Sequence, residues 1–166
     1  MLKDSPNIGT GTITIRDDPR VLPFGKFLRK TKINELPQLF NVLTGDMSLI
    51  GPRPQDIRCF EAFPIDMQDV VASVTPGLSG IGSIVFRDEE ELMDEAGEPD
   101  RLYEQVIMPY KGALEAWYVE NNSVTLYFRL IFATIFAVAA PKMINLRRLF
   151  PSLPQAPEGL ESKLFG

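Results

Sequence analysis

The sequence predicts an α+β domain that is mostly α-helical and carries a small β-hairpin. Residues 8–16 alternate small and β-branched residues, which is typical of a short strand or of one hairpin arm. Residues 36–43 place four apolar side chains at helical spacing, and residues 124–140 form a long apolar run. A chain of 166 residues is long enough for one domain with a substantial core.

Composition excludes several kinds of site. The chain has no histidine and only one cysteine, Cys59, so histidine triads, zinc sites built from histidine and cysteine, and disulfide scaffolds are excluded. Residues 1–60 hold nine Lys/Arg against six Asp/Glu, whereas residues 61–166 hold eight against sixteen. The first part therefore suits an anionic ligand, and the acidic balance of the whole chain argues against nucleic acid. The N-terminal residues are not those of a secretory signal, so we expect a cytosolic compartment.

The helix over residues 36–43 has both of its ends marked in the sequence. Gly45 supplies a C-terminal stop. Pro37 fits the first turn, where a missing N–H costs nothing, so we expect the helix to begin at about Asn34, a good capping residue. Asn34 and Glu35 would then lie at the positive end of the helix dipole.

The middle of the chain contains a helix, a loop and a strand by the same reasoning. Residues 55–72 predict an amphipathic helix that is broken at Pro64. Residues 75–82 form a glycine-rich loop, and the apolar residues 83–86 after it resemble a strand.

Further on, eight of the thirteen residues from 88 to 100 are acidic, which predicts a solvated helix and loop. Residues 101–122 predict a helix. The proline-rich residues 151–166 predict a loosely ordered tail after a domain that covers residues 1–150.

The apolar run at residues 124–140 has three interpretations. It is a buried core helix, a transmembrane span, or an amphipathic C-terminal helix at the membrane interface. Arg129 inside the run, Tyr127 and the later Lys142, Arg147 and Arg148 favour the interface, because such cations reach toward anionic headgroups.

Basic residues surround the polar pair Asn34–Glu35. Four cations precede the pair within nine residues, and Arg53 follows it between two prolines that stiffen the turn. Helix capping and an exposed turn arginine explain these residues structurally, whereas a phosphate site with a metal-binding carboxylate explains them functionally. The four cations are Lys26, Arg29, Lys30 and Lys32.

The chain closely resembles the bacterial sugar transferase family, the monotopic polyprenyl-phosphate phosphoglycosyl transferases. The resemblance is carried by the strings FLRKTKINELPQLFNVLTGDMSLIGPRP, TPGLSGIGS and WYVENNS, and it runs from about Asp17 to Ala140. It implies an enzyme at the cytoplasmic face of the bacterial inner membrane, in contact with membrane lipids. Such an enzyme moves a phosphosugar from a UDP-sugar to undecaprenyl phosphate and so initiates glycan assembly.

The resemblance also implies a site. In the family an Asp-Glu dyad works with Mg²⁺, and the Asp attacks the β-phosphate of the nucleotide sugar. The Glu matches Glu35, the expected metal ligand, and the phosphate-contacting arginines match Arg29 and Arg53. Arg87 matches the basic residue after the glycine-rich loop.

Two departures from the family pattern bear on activity. Asn34 occupies the nucleophile position, and its neutral amide lacks the anionic oxygen that attacks phosphorus. Either Glu35 or a direct attack by the lipid phosphate replaces the Asp, or activity is weak or absent. In addition, the chain is expected to lack the N-terminal membrane anchor of the family. We therefore carry two hypotheses: a phosphoglycosyl transferase, and an inactive nucleotide-sugar-binding or membrane scaffold module.

Overall fold

A computed structural model describes residues 21–30, 35–94, 99–140 and 144–165. These residues are mostly helical, as the sequence predicts, and they include two short strands and one π-helical segment. The elements in chain order are α1 Pro23–Lys30, α2 Gln38–Thr44, β1 Ser48–Ile50, α3 Ile57–Glu61, α4 Ile65–Ala72, β2 Gly77–Ser79, α5 Ile81–Val85, α6 Glu89–Asp94, α7 Pro99–Leu102, the π-helical segment Tyr103–Ile107, α8 Met108–Glu120, α9 Val124–Ala139, α10 Leu146–Leu149 and α11 Glu161–Phe165.

The β element is a parallel pair rather than a hairpin. Ser48 pairs with Gly77 and Ile50 with Ser79. Parallel strands need a long crossover connection, and α3 and α4 supply it. The prediction of a small β element is confirmed in this form, whereas the predicted strand at residues 8–16 lies outside the described residues.

Glycines allow the two strands and their following loops to approach closely. A Cβ added to Gly77 would lie 2.1 Å from the backbone N of Gly51, so only glycine fits at this crossing. The Gly77 N–H donates to Pro52 O at 2.8 Å, and the Gly51 N–H donates to Ser79 O at 2.9 Å. The Gly-Pro-Arg-Pro turn is thereby joined backbone to backbone to residues 75–82, the predicted glycine-rich loop, which in the structure form strand β2 and the start of α5.

The predicted strand at residues 83–86 is wrong. After the extended residue Gly80, the chain turns into helix α5, whose apolar side chains are buried. A short apolar run is equally consistent with a buried helix and a strand, and packing decides between them. Residues 55–72 are divided at Pro64 into α3 and α4, as predicted.

The core lies between α5, α8 and α9, where Ile81, Leu114 and Leu130 have no exposed surface. The predicted helix at 101–122 is confirmed as helical, although the π-helical segment widens one of its turns. Tyr118 on α8 donates a hydrogen bond to Ile50 O at 3.3 Å. Helix α8 therefore supports strand β1 directly.

Helix α2 ends as predicted but begins later. Gly45 closes it in the left-handed conformation, with φ of 87°. The helix begins at Gln38 because proline disfavours a helical conformation at the residue before it, so Glu35 lies in a preceding turn. Asn34 lies outside the described residues. The apolar face of α2 is exposed, with Phe40 72% and Leu43 83% accessible.

Helix α9 presents apolar side chains on two faces. Leu126, Leu130, Ala133 and Ala137 are buried against the core. The opposite face exposes Val124, Phe128, Phe132, Ile135, Phe136 and Val138. Within the described part of the chain, no helix has the length and apolar character required to cross a membrane.

The C-terminal segment, predicted to be a loosely ordered tail, makes several contacts with the rest of the domain. Leu153 and Leu160 are buried, and Arg147 binds Glu161 at 2.7 Å. Arg129 of α9 contacts the backbone oxygen of Leu149, so the segment is also held to α9. Two buried leucines and the Arg147–Glu161 ion pair thus hold this proline-rich segment against the rest of the domain.

Glu115 is a buried carboxylic acid beneath the joined loops. It is 3% exposed, and the backbone N–H groups of Gly82 and Arg53 hydrogen-bond to its carboxyl group. A Cβ added to Gly82 would lie 2.5 Å from Glu115 Oε1, so Glu115 and the glycine-rich loop are in tight contact. Burial raises the pKa of Glu115 to about 8, against the smaller opposing effects of these N–H groups and of Lys111.

Replacing Leu130 with alanine should lower the free energy of unfolding by about 2–5 kcal/mol, because it opens a cavity in the core. Phe132→Ala, on the exposed face of the same helix, is the matched control and should change it by less than about 1 kcal/mol. Urea unfolding in a mild detergent measures both. Equal losses would mean that the two faces of α9 are assigned incorrectly.

Glu115 should make stability fall as pH rises. The folded state binds a proton at Glu115 that the unfolded state has lost above pH 4.5, so stability decreases from pH 4.5 through about pH 8. Glu115→Gln removes this titration. Between pH 5 and pH 9, we expect the unfolding free energy of the wild type to fall by several kcal/mol relative to that of the variant. Urea unfolding at both pH values measures it, and a constant difference would contradict the raised pKa.

Candidate active site

A cleft of about 590 Å³ lies beside the junction of the two loops. The Gly-Pro-Arg-Pro turn forms one wall, and α5 with the residues after it forms another. Helices α6 and α8 complete the cleft. Its lining residues are Arg53, Pro54, Gln55, Gly82, Ser83, Phe86, Arg87, Asp88, Glu89, Glu91, Tyr103, Lys111 and Glu115.

Glu35 contacts Arg53, which lines this cleft. Arg53 Nη2 donates to Glu35 Oε1 at 2.8 Å, and both side chains are partly buried. The residues are 18 positions apart, and their contact ties the turn before α2 to the Gly-Pro-Arg-Pro turn. The structure therefore brings together two of the predicted site residues. Arg29 lies in α1, but its side chain is outside what the structure describes, as is all of Asn34.

Arg87 lies on the other side of the cleft, where α5 has ended. Its Nη1 donates to Ala137 O at 2.9 Å, near the end of α9. Its Nε donates to Asp88 Oδ1 at 3.2 Å, and its Nη2 contacts the second oxygen of the same carboxylate. Arg53 and Arg87 thus face one cleft from two directions, each held by contacts to other parts of the chain.

The structure adds Lys111, which the sequence reasoning missed. Its Nζ lies 2.7 Å from each carboxylate oxygen of Glu89, and it lies over the rings of Phe86 and Tyr103. The sequence does contain a pattern that could have indicated Lys111. Lys111 and Glu115 are two charged residues four positions apart in a helix whose other residues are largely apolar. Charged residues are rarely buried unless they are paired or functional.

Tyr103 lines the cleft and stays protonated. Burial raises the pKa of its hydroxyl, and the nearby negative charge of Glu89 raises it further. The hydroxyl also lies 3.7 Å from Cys59 Sγ. Tyr103 can therefore donate a hydrogen bond in the cleft, but it is unsuited to accept a proton as a base.

The cleft has the side chains needed to bind a phosphorylated ligand. Two arginines and one lysine face it, and guanidinium groups bind phosphate oxygens with two parallel hydrogen bonds. Each cation contacts a carboxylate: Arg53 contacts Glu35, Arg87 contacts Asp88, and Lys111 contacts Glu89. Across the described ranges, no three His, Cys, Asp or Glu side chains form a group that could hold a metal ion.

The chain matches known sugar transferases in sequence. The family model for the bacterial sugar transferase covers residues 1–141. The chain is 34% identical, over 119 residues and 69% of its length, to undecaprenyl-phosphate galactose phosphotransferase of Salmonella typhimurium strain LT2. It is 35% identical over 140 residues, or 81% of its length, to undecaprenyl-phosphate glucose phosphotransferase of Komagataeibacter xylinus.

A third relative is UDP-glucose:undecaprenyl-phosphate glucose-1-phosphate transferase of Escherichia coli K12, with 34% identity over 127 residues and 75% of this chain. The aligned regions make up only 21%, 24% and 25% of the Salmonella, Komagataeibacter and Escherichia proteins respectively. The chain thus corresponds to about a quarter or less of the length of each relative. The extent of the family match shows that this chain belongs to the bacterial sugar transferase family.

Proposed function

We propose that this protein transfers a phosphosugar from a UDP-sugar to undecaprenyl phosphate, the first step in building a bacterial surface polysaccharide or glycoconjugate. The supporting observation is the contact between Glu35 and Arg53 at a cleft that Arg87 also lines. The relatives supply the reaction class, because their names describe the transfer of sugar phosphates to undecaprenyl phosphate.

The reaction displaces UMP from the β-phosphorus of the UDP-sugar. An oxygen nucleophile forms a bond to that phosphorus, the bond to the bridging oxygen breaks, and UMP leaves with the electron pair. Arg53 and Arg87 would bind the phosphate oxygens and neutralise their charge, which is the main requirement in phosphoryl transfer. Arg29 would add a further phosphate contact.

Glu35 is the residue we assign to Mg²⁺. Magnesium is commonly held by one or two carboxylates together with substrate phosphates. Glu35 is a partly buried carboxylate in contact with Arg53, so it is a suitable magnesium ligand of this type. The ion would polarise the phosphoryl oxygens when bound. Glu35 would exchange part of its interaction with Arg53 for this role.

Asn34 makes a second function worth testing. A neutral amide cannot attack phosphorus as a carboxylate can, so catalysis in this chain requires Glu35 or the lipid phosphate oxygen as the nucleophile. Without either, the protein would be a nucleotide-sugar-binding or membrane scaffold module. The cleft and its cations serve both functions, and turnover distinguishes them.

UMP release from UDP-glucose and UDP-galactose tests the assignment. Full-length protein in detergent with undecaprenyl phosphate should release UMP, and Glu35→Ala should reduce the rate by about 100-fold or more. Glu104→Ala, at an exposed glutamate outside the cleft lining, serves as the control.

Asn34→Asp restores the family nucleophile and completes this experiment. Turnover by the Asp variant alone would establish the inactive-member function for the natural chain. Unchanged turnover in Glu35→Ala would refute the metal-ligand assignment. Intact mass measurement of a phosphosugar adduct identifies a covalent step in either protein.

We further propose that the protein lies on the membrane through its exposed apolar side chains, at the cytoplasmic face of the inner membrane. Helices α1, α2 and α9 each expose large apolar residues, among them Phe24, Phe40 and Phe132. Exposed apolar surface of this kind marks membrane or protein contacts. A lipid-linked acceptor also requires the cleft to lie near the bilayer.

Vesicle binding tests this placement. Phe132→Asp puts a charge on the exposed face of α9, so we expect about a tenfold or greater loss of binding to vesicles of phosphatidylglycerol and phosphatidylethanolamine. Ser152→Asp adds the same charge at an exposed polar residue and should retain most binding. Co-sedimentation measures both, and equal retention by the two variants would exclude α9 from the membrane contact.

A further inference from the structure

Lys111 is a cation in an unusual place. It lies in α8 among core residues, and only 8% of its surface is exposed. Its ammonium nevertheless reaches the cleft wall, 5.3 Å from the centre of the Phe86 ring and 5.7 Å from that of Tyr103. These aromatic faces attract the ammonium and limit the positions it can adopt.

The partner of Lys111 comes from the acidic segment. Glu89 begins α6, two residues after Arg87, and both of its carboxylate oxygens lie 2.7 Å from Lys111 Nζ. Met93, almost completely buried, fixes the same short helix to the core. The acidic segment was predicted to be solvated, but its first glutamate points instead into the cleft.

A buried ion pair is weak evidence of a purely structural role. The cost of removing two charges from water roughly cancels their attraction, and apolar side chains of similar size often stabilise a protein as well. Lys111 and Glu89 also line the same cleft as Arg53 and Arg87. A phosphate group presents the same kind of anionic oxygens to an ammonium as a carboxylate does.

We propose that Lys111 is a third phosphate-binding cation of the cleft, and that Glu89 competes with the ligand's phosphate for it. The assignment rests on the proposed function, in which the cleft takes the diphosphate of a nucleotide sugar. Glu89 acts as an internal competitor: the ligand's diphosphate displaces its carboxylate from Lys111. The start of the acidic segment thereby lowers the affinity for anions and favours ligands that carry enough charge to displace it.

Binding of UDP by isothermal titration calorimetry, with full-length protein in detergent, tests the competition. Glu89→Gln removes the competing charge at nearly constant shape and should tighten UDP binding about fivefold. Asp94→Asn, at an exposed residue of the same helix outside the cleft lining, removes an equal charge and should change binding less than twofold.

Lys111 variants test the other partner. Lys111→Met should weaken UDP binding about tenfold, and Lys111→Arg should restore most of it. In the Lys111→Met background, Glu89→Gln should no longer tighten binding about fivefold, because the two residues act through one contact. Lys163→Met removes a positive charge at an exposed residue outside the cleft lining and controls for net charge. Urea unfolding of each variant establishes that it is folded.

The outcomes separate this proposal from the function it rests on. If wild type binds UDP but Lys111→Met and Glu89→Gln bind it equally well, the competition is overturned and the proposed function stands. If wild type does not bind UDP at all, both are overturned. If Asp94→Asn increases the affinity for UDP as much as Glu89→Gln does, the increase comes from the change in net charge alone. That result would also overturn the competition.

Discussion

The close contact of two glycine-containing loops above Glu115 is the constraint on which the site depends. Gly51 and Gly77 cross at a distance that leaves no room for a side chain. Two backbone hydrogen bonds hold this crossing, and the buried carboxyl group of Glu115 accepts hydrogen bonds from the backbone N–H groups of Arg53 and Gly82. Because of this junction, Arg53 on one loop and Arg87 after α5 face the same cleft.

The cations that line the cleft are all paired with carboxylates. Arg53, Arg87 and Lys111 each contact a carboxylate, so an incoming anion must compete with acidic groups for every one of them. Such an arrangement favours a ligand with several negative charges over one with a single charge, since only the former can replace more than one carboxylate. A nucleoside diphosphate carries several negative charges. In the proposed function, a bound divalent cation would neutralise the carboxylate of Glu35 when Arg53 turns from Glu35 to a phosphate.

The sequence predicted local features more fully than contacts. Gly45 and Pro64 marked the end of α2 and the break between α3 and α4, because their backbone restrictions act locally. The apolar pattern predicted helix α2 but not its exposure, since periodicity identifies a face without showing what covers it. The strand predicted at 83–86 failed because a buried helix and a strand share that composition. Lys111 and Glu89 are 22 residues apart, and only folding brings them together.

In the proposed function, the cleft at the loop junction binds the diphosphate of a nucleotide sugar. A crystal structure of the protein with UDP and Mg²⁺ tests it most directly. The diphosphate oxygens should lie within hydrogen-bonding distance of the guanidinium groups of Arg53 and Arg87. A diphosphate bound elsewhere on the protein, with neither arginine in contact, would contradict it.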